Sequence, residues 1–198
     1  MSSRLPSVVG LVAQERVAFV GPFGVGKTTA VRTISDVTVA DTDVRRSAST
    51  DAEPADAAKR TTTVGIDYGE WHPVGRPRVA VYGTPGQLRF DMVRANAMSA
   101  GATLVLWLFG DRLDALDEAE LWLRHLHTID ARAYERLSVA VTRLGAPGPG
   151  LDLADFRARL GAHASGVPVL AADPRARHDV ERVVRAALDR ATTPRTEQ

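Results

Sequence analysis

The chain contains no cysteine. That excludes disulfides, thiolate metal centres and a lipid-accepting C-terminal Cys. Lysine is scarce too: Lys27 and Lys59 are the only two, so 23 of the 25 basic residues are arginine. Apart from Arg45-Arg46, the arginines are scattered rather than gathered in a block, which argues against a nucleic-acid groove. Long apolar runs are missing. Stretches such as Ala102 to Phe109 fall far short of the roughly 20 residues that cross a bilayer. Met1 to Ser7 lacks the apolar core of a secretion signal. A cytoplasmic protein with no direct membrane insertion and no nucleic-acid partner is the expectation.

What remains has the make-up of a globular protein: 198 residues, 44% hydrophobic and 25% charged, with a net charge of +1. That length suits one α/β domain with a full core. We place it at residues 16–191, with a short N-terminal extension at 1–15 and a flexible tail at 192–198.

The densest signal is Arg16 to Thr29. The apolar run Val17 to Val20 reads as a buried strand, and Gly21-Pro-Phe-Gly-Val-Gly-Lys-Thr28 follows it. This octet fits G-x-x-x-x-G-K-[ST] at every fixed position, and Thr29 to Ile34 continues at helical spacing. The order strand, glycine loop, helix is the context the motif requires. A triphosphate needs several N–H donors converging at short range, so small residues are needed where the backbone wraps it. The free N–H groups of the following helix face the same anion. Lys27 is expected to reach the terminal phosphates and the Thr28 hydroxyl to ligate Mg²⁺. Gly21, Phe23, Gly24, Val25, Gly26, Lys27, Thr28 and Thr29 form the expected phosphate cradle.

The rest of the chain alternates strand and helix, as in a mostly parallel sheet covered on both faces. Residues 36–62 are polar and aperiodic. Thr63 to Tyr68 alternates like a strand, with Arg78 to Tyr82 as its hairpin partner. Gly83 to Phe90 is a loop opening a helix near Asp91 to Ser99. Leu104 to Phe109 is a doubly covered strand. A helix over 114–130, a strand over 137–141, a helix over 152–164, a strand over 167–170 and a helix over 178–191 complete the series. His125 and His127 lie two apart on a helix and make a poor metal pair. Trp107 and Trp122 read as packing residues. The acids from Asp111 to Glu120 suit the start of a helix dipole.

Three stretches together, Gly21 to Thr29, Thr61 to Tyr68 and Tyr82 to Phe90, resemble the small Ras-like GTPases. The likeness is strongest to the prokaryotic MglA-like and actinobacterial conservon-type branch, which shares G-x-F-G-V-G-K-T-T, a threonine run and F-G-T-P-G-Q. The resemblance spans roughly residues 16–191. It implies a P-loop NTPase fold: a Ras-like three-layer domain with a mostly parallel six-stranded sheet and helices on both faces. It also implies GTP and GDP as ligands, Mg²⁺ as cofactor and slow GTP hydrolysis. By the same resemblance Thr63 closes over the γ-phosphate and ligates Mg²⁺, Gly86 offers its N–H to that phosphate, and Gln87 orients the attacking water. A roadblock/LC7-type regulatory protein and sensor-kinase-linked signalling components are the implied partners.

Three departures stand out. The family's Mg²⁺-linked aspartate at the head of the second switch is Gly83 here. Phe23 occupies a loop position where a phenyl ring would crowd an arginine finger, so slow turnover is expected. The base-reading N-K-x-D is Thr142-Arg-Leu-Gly145. Thr142, Arg143 and Ala172 remain as expected base contacts, with Arg143 able to stack its guanidinium. For Asp173 a turn-forming role before Pro174 outweighs that of a substitute carboxylate. Guanine preference therefore rests on the family resemblance. The alternatives are a non-hydrolysing nucleotide-binding scaffold and an ATP-binding P-loop protein.

Overall fold

The structure, a computed structural model, describes residues 15–41, 66–84, 101–146 and 148–192. Its elements in chain order are β1 (Glu15–Val20), α1 (Lys27–Ile34), β2 (Ala40–Asp41), β3 (Asp67–Trp71), β4 (Val79–Gly83), β5 (Thr103–Phe109) and α2 (Ala115–Ile129). A short 3-10 turn (Ala133–Arg136) precedes β6 (Leu137–Thr142), α3 (Leu153–Gly161), β7 (Val169–Ala171) and α4 (Arg177–Thr192). This is an α/β fold with one sheet, ordered β2-β3-β4-β1-β5-β6-β7. From β4 through β7 every pairing is parallel, while β3 runs antiparallel to both β2 and β4.

Among the described residues the sheet has seven strands where six were expected. The extra one is the two-residue β2, inside a stretch whose polar, aperiodic sequence carries no strand signal. Its pairing comes from the neighbouring edge, Ala40 with Tyr68 and Asp41 with Asp67. The hairpin of β3 and β4 follows the expectation, but β3 extends to Trp71, three residues past the predicted end. Alternation is a weak guide there because Gly69 contributes no side chain. The helix predicted near Asp91 to Ser99 lies outside the described residues.

Strand alternation divides the core into two layers. Ala18, Val20, Leu104, Leu106, Leu108, Val139 and Val141 face α2 and α3, meeting Leu123, Leu126, Phe156 and Leu160. The intervening positions Val17, Phe19, Val105 and Trp107 face α1 and α4, meeting Val31, Ile34, Val183 and Leu188. Every residue of β5 is buried, as a continuous apolar run predicts. Trp107 and Trp122 are both core residues.

Helix α3 starts from a complete capping box: Asp152 accepts from the Ala154 and Asp155 amides, and Asp155 accepts from the Asp152 amide. The acids of α2 do more than complement its dipole. Asp117 and Glu120 both accept from Arg159 of α3, which ties the two helices together. Helix α1 is tied to the hairpin at Ser35, which follows it. The Ser35 hydroxyl donates to the Val37 carbonyl at 2.7 Å and accepts from the Glu70 amide at 3.3 Å. The Asp36 amide donates to the Glu70 carbonyl at 2.7 Å. Ser35→Ala removes one such link, and the expected cost is about 1 kcal/mol of unfolding free energy. A urea titration reads it as a lower midpoint at unchanged slope.

Candidate functional site

Strands β1, β4, β5, β6 and β7 all point the same way, so their carboxyl ends form one edge. In open α/β sheets that edge is where ligands bind. The glycine loop leaves it from β1, the central strand. At Gly21 the backbone turns with φ 132°, and an added Cβ would lie 2.1 Å from the Trp107 carbonyl oxygen on β5. Only glycine fits so close to a neighbouring strand. The loop ends at Gly26, the N-cap of α1, with φ 111° and no side-chain cap. The first turn of α1 carries no acidic residue. Its free N–H groups and the positive end of its dipole therefore face outward without competition.

Lys27 is the centre of this arrangement. It is 6% exposed. Its ammonium is folded back into the loop, donating to the carbonyls of Gly21 at 2.8 Å and Pro22 at 2.7 Å. Burial pushes its pKa down to about 8, and the nearby Asp67 carboxylate opposes that shift. A buried cation with two carbonyl acceptors and no ion-pair partner among the described residues is poised to receive an anion. Val25 is buried beneath the loop, whereas Thr28, Thr29 and Gly24 are exposed. Phe23 projects from the loop, 78% exposed.

The Thr28 hydroxyl donates to Oδ2 of Asp67 at 2.6 Å. Asp67 opens β3 and is the register partner of Gly83 at the end of β4. A Cβ at Gly83 would lie 2.9 Å from that same Oδ2 and 3.1 Å from the Asp67 Cβ. The carboxylate thus fills space that a side chain at position 83 would need. Its position was missed in the sequence, where Asp67 reads as one polar residue of an alternating strand. The signal lay in the hairpin register, which sets Asp67 opposite the glycine that stands for an expected acid. The hydroxyl and carboxylate are hard oxygen donors suited to Mg²⁺. Among the described residues no group of three or more His, Asp or Glu could hold a metal alone. A cation here needs phosphate oxygens to complete its shell, which is how Mg²⁺ commonly binds. The residues present fit the ion.

Beside the loop lies a pocket of about 240 Å³ lined by Gly24, Val25, Gly26, Thr29, Thr142, Arg143, Asp173, Pro174 and Arg175. Thr142 ends β6 and is buried. Arg143 adopts φ 59°, the one left-handed non-glycine among the described residues. Its guanidinium lies 4.9 Å from the centre of the Phe109 ring. Pro174 packs on the loop, so close that a Cβ at Gly26 would lie 2.6 Å from its Cγ. Ala172 is buried and its amide donates to the Val141 carbonyl at 3.0 Å, which moors the 172–175 turn to β6. Thr84 closes the edge, its amide and hydroxyl both donating to the Phe19 carbonyl. Thr63, Gly86 and Gln87 lie outside the described residues. The structure thus gathers the glycine loop, Thr142, Arg143 and the 172–175 turn around one edge.

No protein-family model matches the chain, and a search of curated proteins finds no match. Solved structures do resemble it. The G domain of the T. maritima FeoB iron transporter superposes with a TM-score of 0.61 at 14% identity, covering 90% of this chain and 99% of that one. The cytosolic domain of the same transporter gives 0.57 at 16% identity in its apo form and 0.54 at 17% in its GMPPNP form. This chain spans about two thirds of those cytosolic domains, 66% and 64% of their lengths. The likeness shows that this chain shares the fold of that transporter's G domain.

A phosphate anion placed beside Lys27 would raise its pKa above about 8. Binding of such an anion should therefore take up protons above pH 8, and its affinity should fall as pH rises through that range. Below about pH 7 the amine is already charged and neither effect is expected. Calorimetry in buffers of differing ionisation heat measures the uptake.

Proposed function

We propose that this protein is a Ras-like nucleotide switch that binds GTP and GDP with Mg²⁺ and hydrolyses GTP slowly. The observation that carries the reading is Lys27, an ammonium buried in the glycine loop at the head of an uncapped helix, with the Thr28–Asp67 pair beside it. The β- and γ-phosphates take the place of the Gly21 and Pro22 carbonyls as partners of Lys27. The loop amides and the first turn of α1 supply further donors. Thr28 and Asp67 would hold the metal together with phosphate oxygens. The ion, when bound, neutralises charge that builds on the phosphates during transfer.

Thr63 closing over the γ-phosphate, Gly86 donating to it and Gln87 orienting water complete the mechanism, on the strength of the sequence motifs. Thr84, the last described residue before Gly86 and Gln87, is anchored to the Phe19 carbonyl of β1. Phe23, exposed at the mouth, hinders an arginine supplied by a partner, consistent with slow turnover. A degenerate scaffold is disfavoured because Asp67 supplies the carboxylate that Gly83 lacks. Guanine as the base, a signalling role, a roadblock/LC7-type regulator and cytoplasmic residence rest on the family resemblance. Among the described residues no helix is long and apolar enough to cross a membrane.

Binding of labelled GTP, GDP and ATP with Mg²⁺, followed by phosphate release over hours, tests the reading. Guanine-selective binding with slow release that is lost in Gln87→Ala is the expected result. No release, with or without a partner, would leave a binding module. Asp67→Asn should weaken Mg²⁺-dependent nucleotide affinity about 10- to 100-fold while leaving metal-free binding intact. Gly83→Asp alone should clash. Combined with Asp67→Gly, it should recover part of the metal dependence.

A further inference from the structure

The turn after β7 holds a carboxylate that the phosphate chemistry does not use. Asp173 is the one acidic residue lining the pocket beside the glycine loop, opposite the end of β6. Where the N-K-x-D resemblance calls for an aspartate there is Gly145. Asp173 is held in place by its own backbone, whose amide donates to Oδ2 of Asp179 on α4 at 3.0 Å. Both oxygens of its carboxylate are engaged by Arg175. Nε donates to Oδ1 at 3.0 Å and to Oδ2 at 3.2 Å, and Nη2 donates to Oδ2 at 2.8 Å. The Arg175 amide adds a fourth contact, to Oδ1 at 2.9 Å. These contacts hold the Asp173 carboxyl below the usual carboxylate range, so it is ionised at neutral pH.

The partner's shape is informative. A guanidinium offers two parallel N–H donors in one plane. The N1–H and N2–H₂ edge of guanine is the same guanidine unit built into a ring. We propose that Asp173 is the carboxylate that reads the guanine base, and that Arg175 is a placeholder occupying its oxygens until the base arrives. This rests on the reading of the site as a guanine-nucleotide site. The placeholder is easily displaced: the Arg175 side chain is 80% exposed and that of Asp173 41%, and exposed ion pairs hold weakly. The carboxylate also supplies rejection. Adenine presents a lone pair at N1, which a carboxylate repels, and xanthine presents a carbonyl at C2. A site built to accept from two donors discriminates strongly against bases that lack them. Pro174 has no N–H and packs against Gly26, so this turn meets the base chiefly through the Asp173 side chain.

The test is competition among GDP, IDP, XDP and ADP for the wild-type protein and for Asp173→Asn. The wild type should prefer GDP, with IDP at least about tenfold weaker because it lacks the C2 amine. Asp173→Asn should lose GDP affinity and gain XDP affinity, since an amide donates to the C2 carbonyl that a carboxylate repels. Guanine selectivity that survives in Asp173→Asn, with no gain for XDP, overturns this inference and leaves the nucleotide switch standing. A wild type that binds ADP as well as GDP overturns the guanine reading itself, and this inference with it. If Asp173→Asn fails to fold, Arg175→Ala tests the same pair by removing the competitor. GDP affinity rising several-fold with selectivity retained supports the proposal, and affinity unchanged or lower overturns it.

Discussion

Strand β1 has a parallel partner on each side, β4 and β5, and that central position is what the site depends on. A parallel neighbour on both edges requires both faces to be covered, so Ala18 and Val20 go to one core layer and Val17 and Phe19 to the other. It also sets the ends of β1, β4 and β5 side by side. The loop leaving β1 has to turn directly against β5, and Gly21 is the residue that can do so beneath the Trp107 carbonyl. Lys27 follows from the same constraint. Its ammonium is folded onto the carbonyls of its own loop, where burial desolvates it.

The acid beside Thr28 comes from β3 rather than from the end of β4. For the metal role proposed above, a carboxylate is needed near the hydroxyl, not at a given position of the chain. Antiparallel pairing brings Asp67 opposite Gly83, so an acid on β3 reaches the space that an acid on β4 would occupy. A Cβ at position 83 would crowd the Asp67 carboxylate where it now lies, so glycine at 83 suits aspartate at 67.

The arginines, scattered in sequence, act as fasteners in space. Arg177 of α4 binds Asp36, and Arg76 of the β3–β4 hairpin binds Asp189 of α4, which joins the sheet edge to the last helix. Arg185 stacks on Trp71 at 5.0 Å. Arg190 donates to the carbonyls of Tyr134 and Gly166, closing two loops onto α4. A planar guanidinium with several donors can serve a carbonyl and a carboxylate together, which the point charge of a lysine does less well. A count of isolated arginines reads as a solvated face because the partners are far away in sequence.

Local chemistry decided much of this protein in advance. The stretch from Val17 to Thr28 specifies a strand, a glycine turn and a helix start through residue types alone, because an apolar run, small loop residues and a lysine at the helix start are local requirements. The all-apolar run of β5 and the alternation of apolar and polar segments likewise specify a covered, mostly parallel sheet. Other features depend on pairing between distant segments. Strand β2 exists because an edge was available to Ala40 and Asp41. Asp67 gains its meaning from its register with Gly83, and Asp173 from facing a pocket shared with Arg143 and the glycine loop. A sequence states which groups are present and what their neighbours along the chain permit. Which carboxylate meets which hydroxyl is settled only when strands and turns separated by tens of residues are packed along one edge.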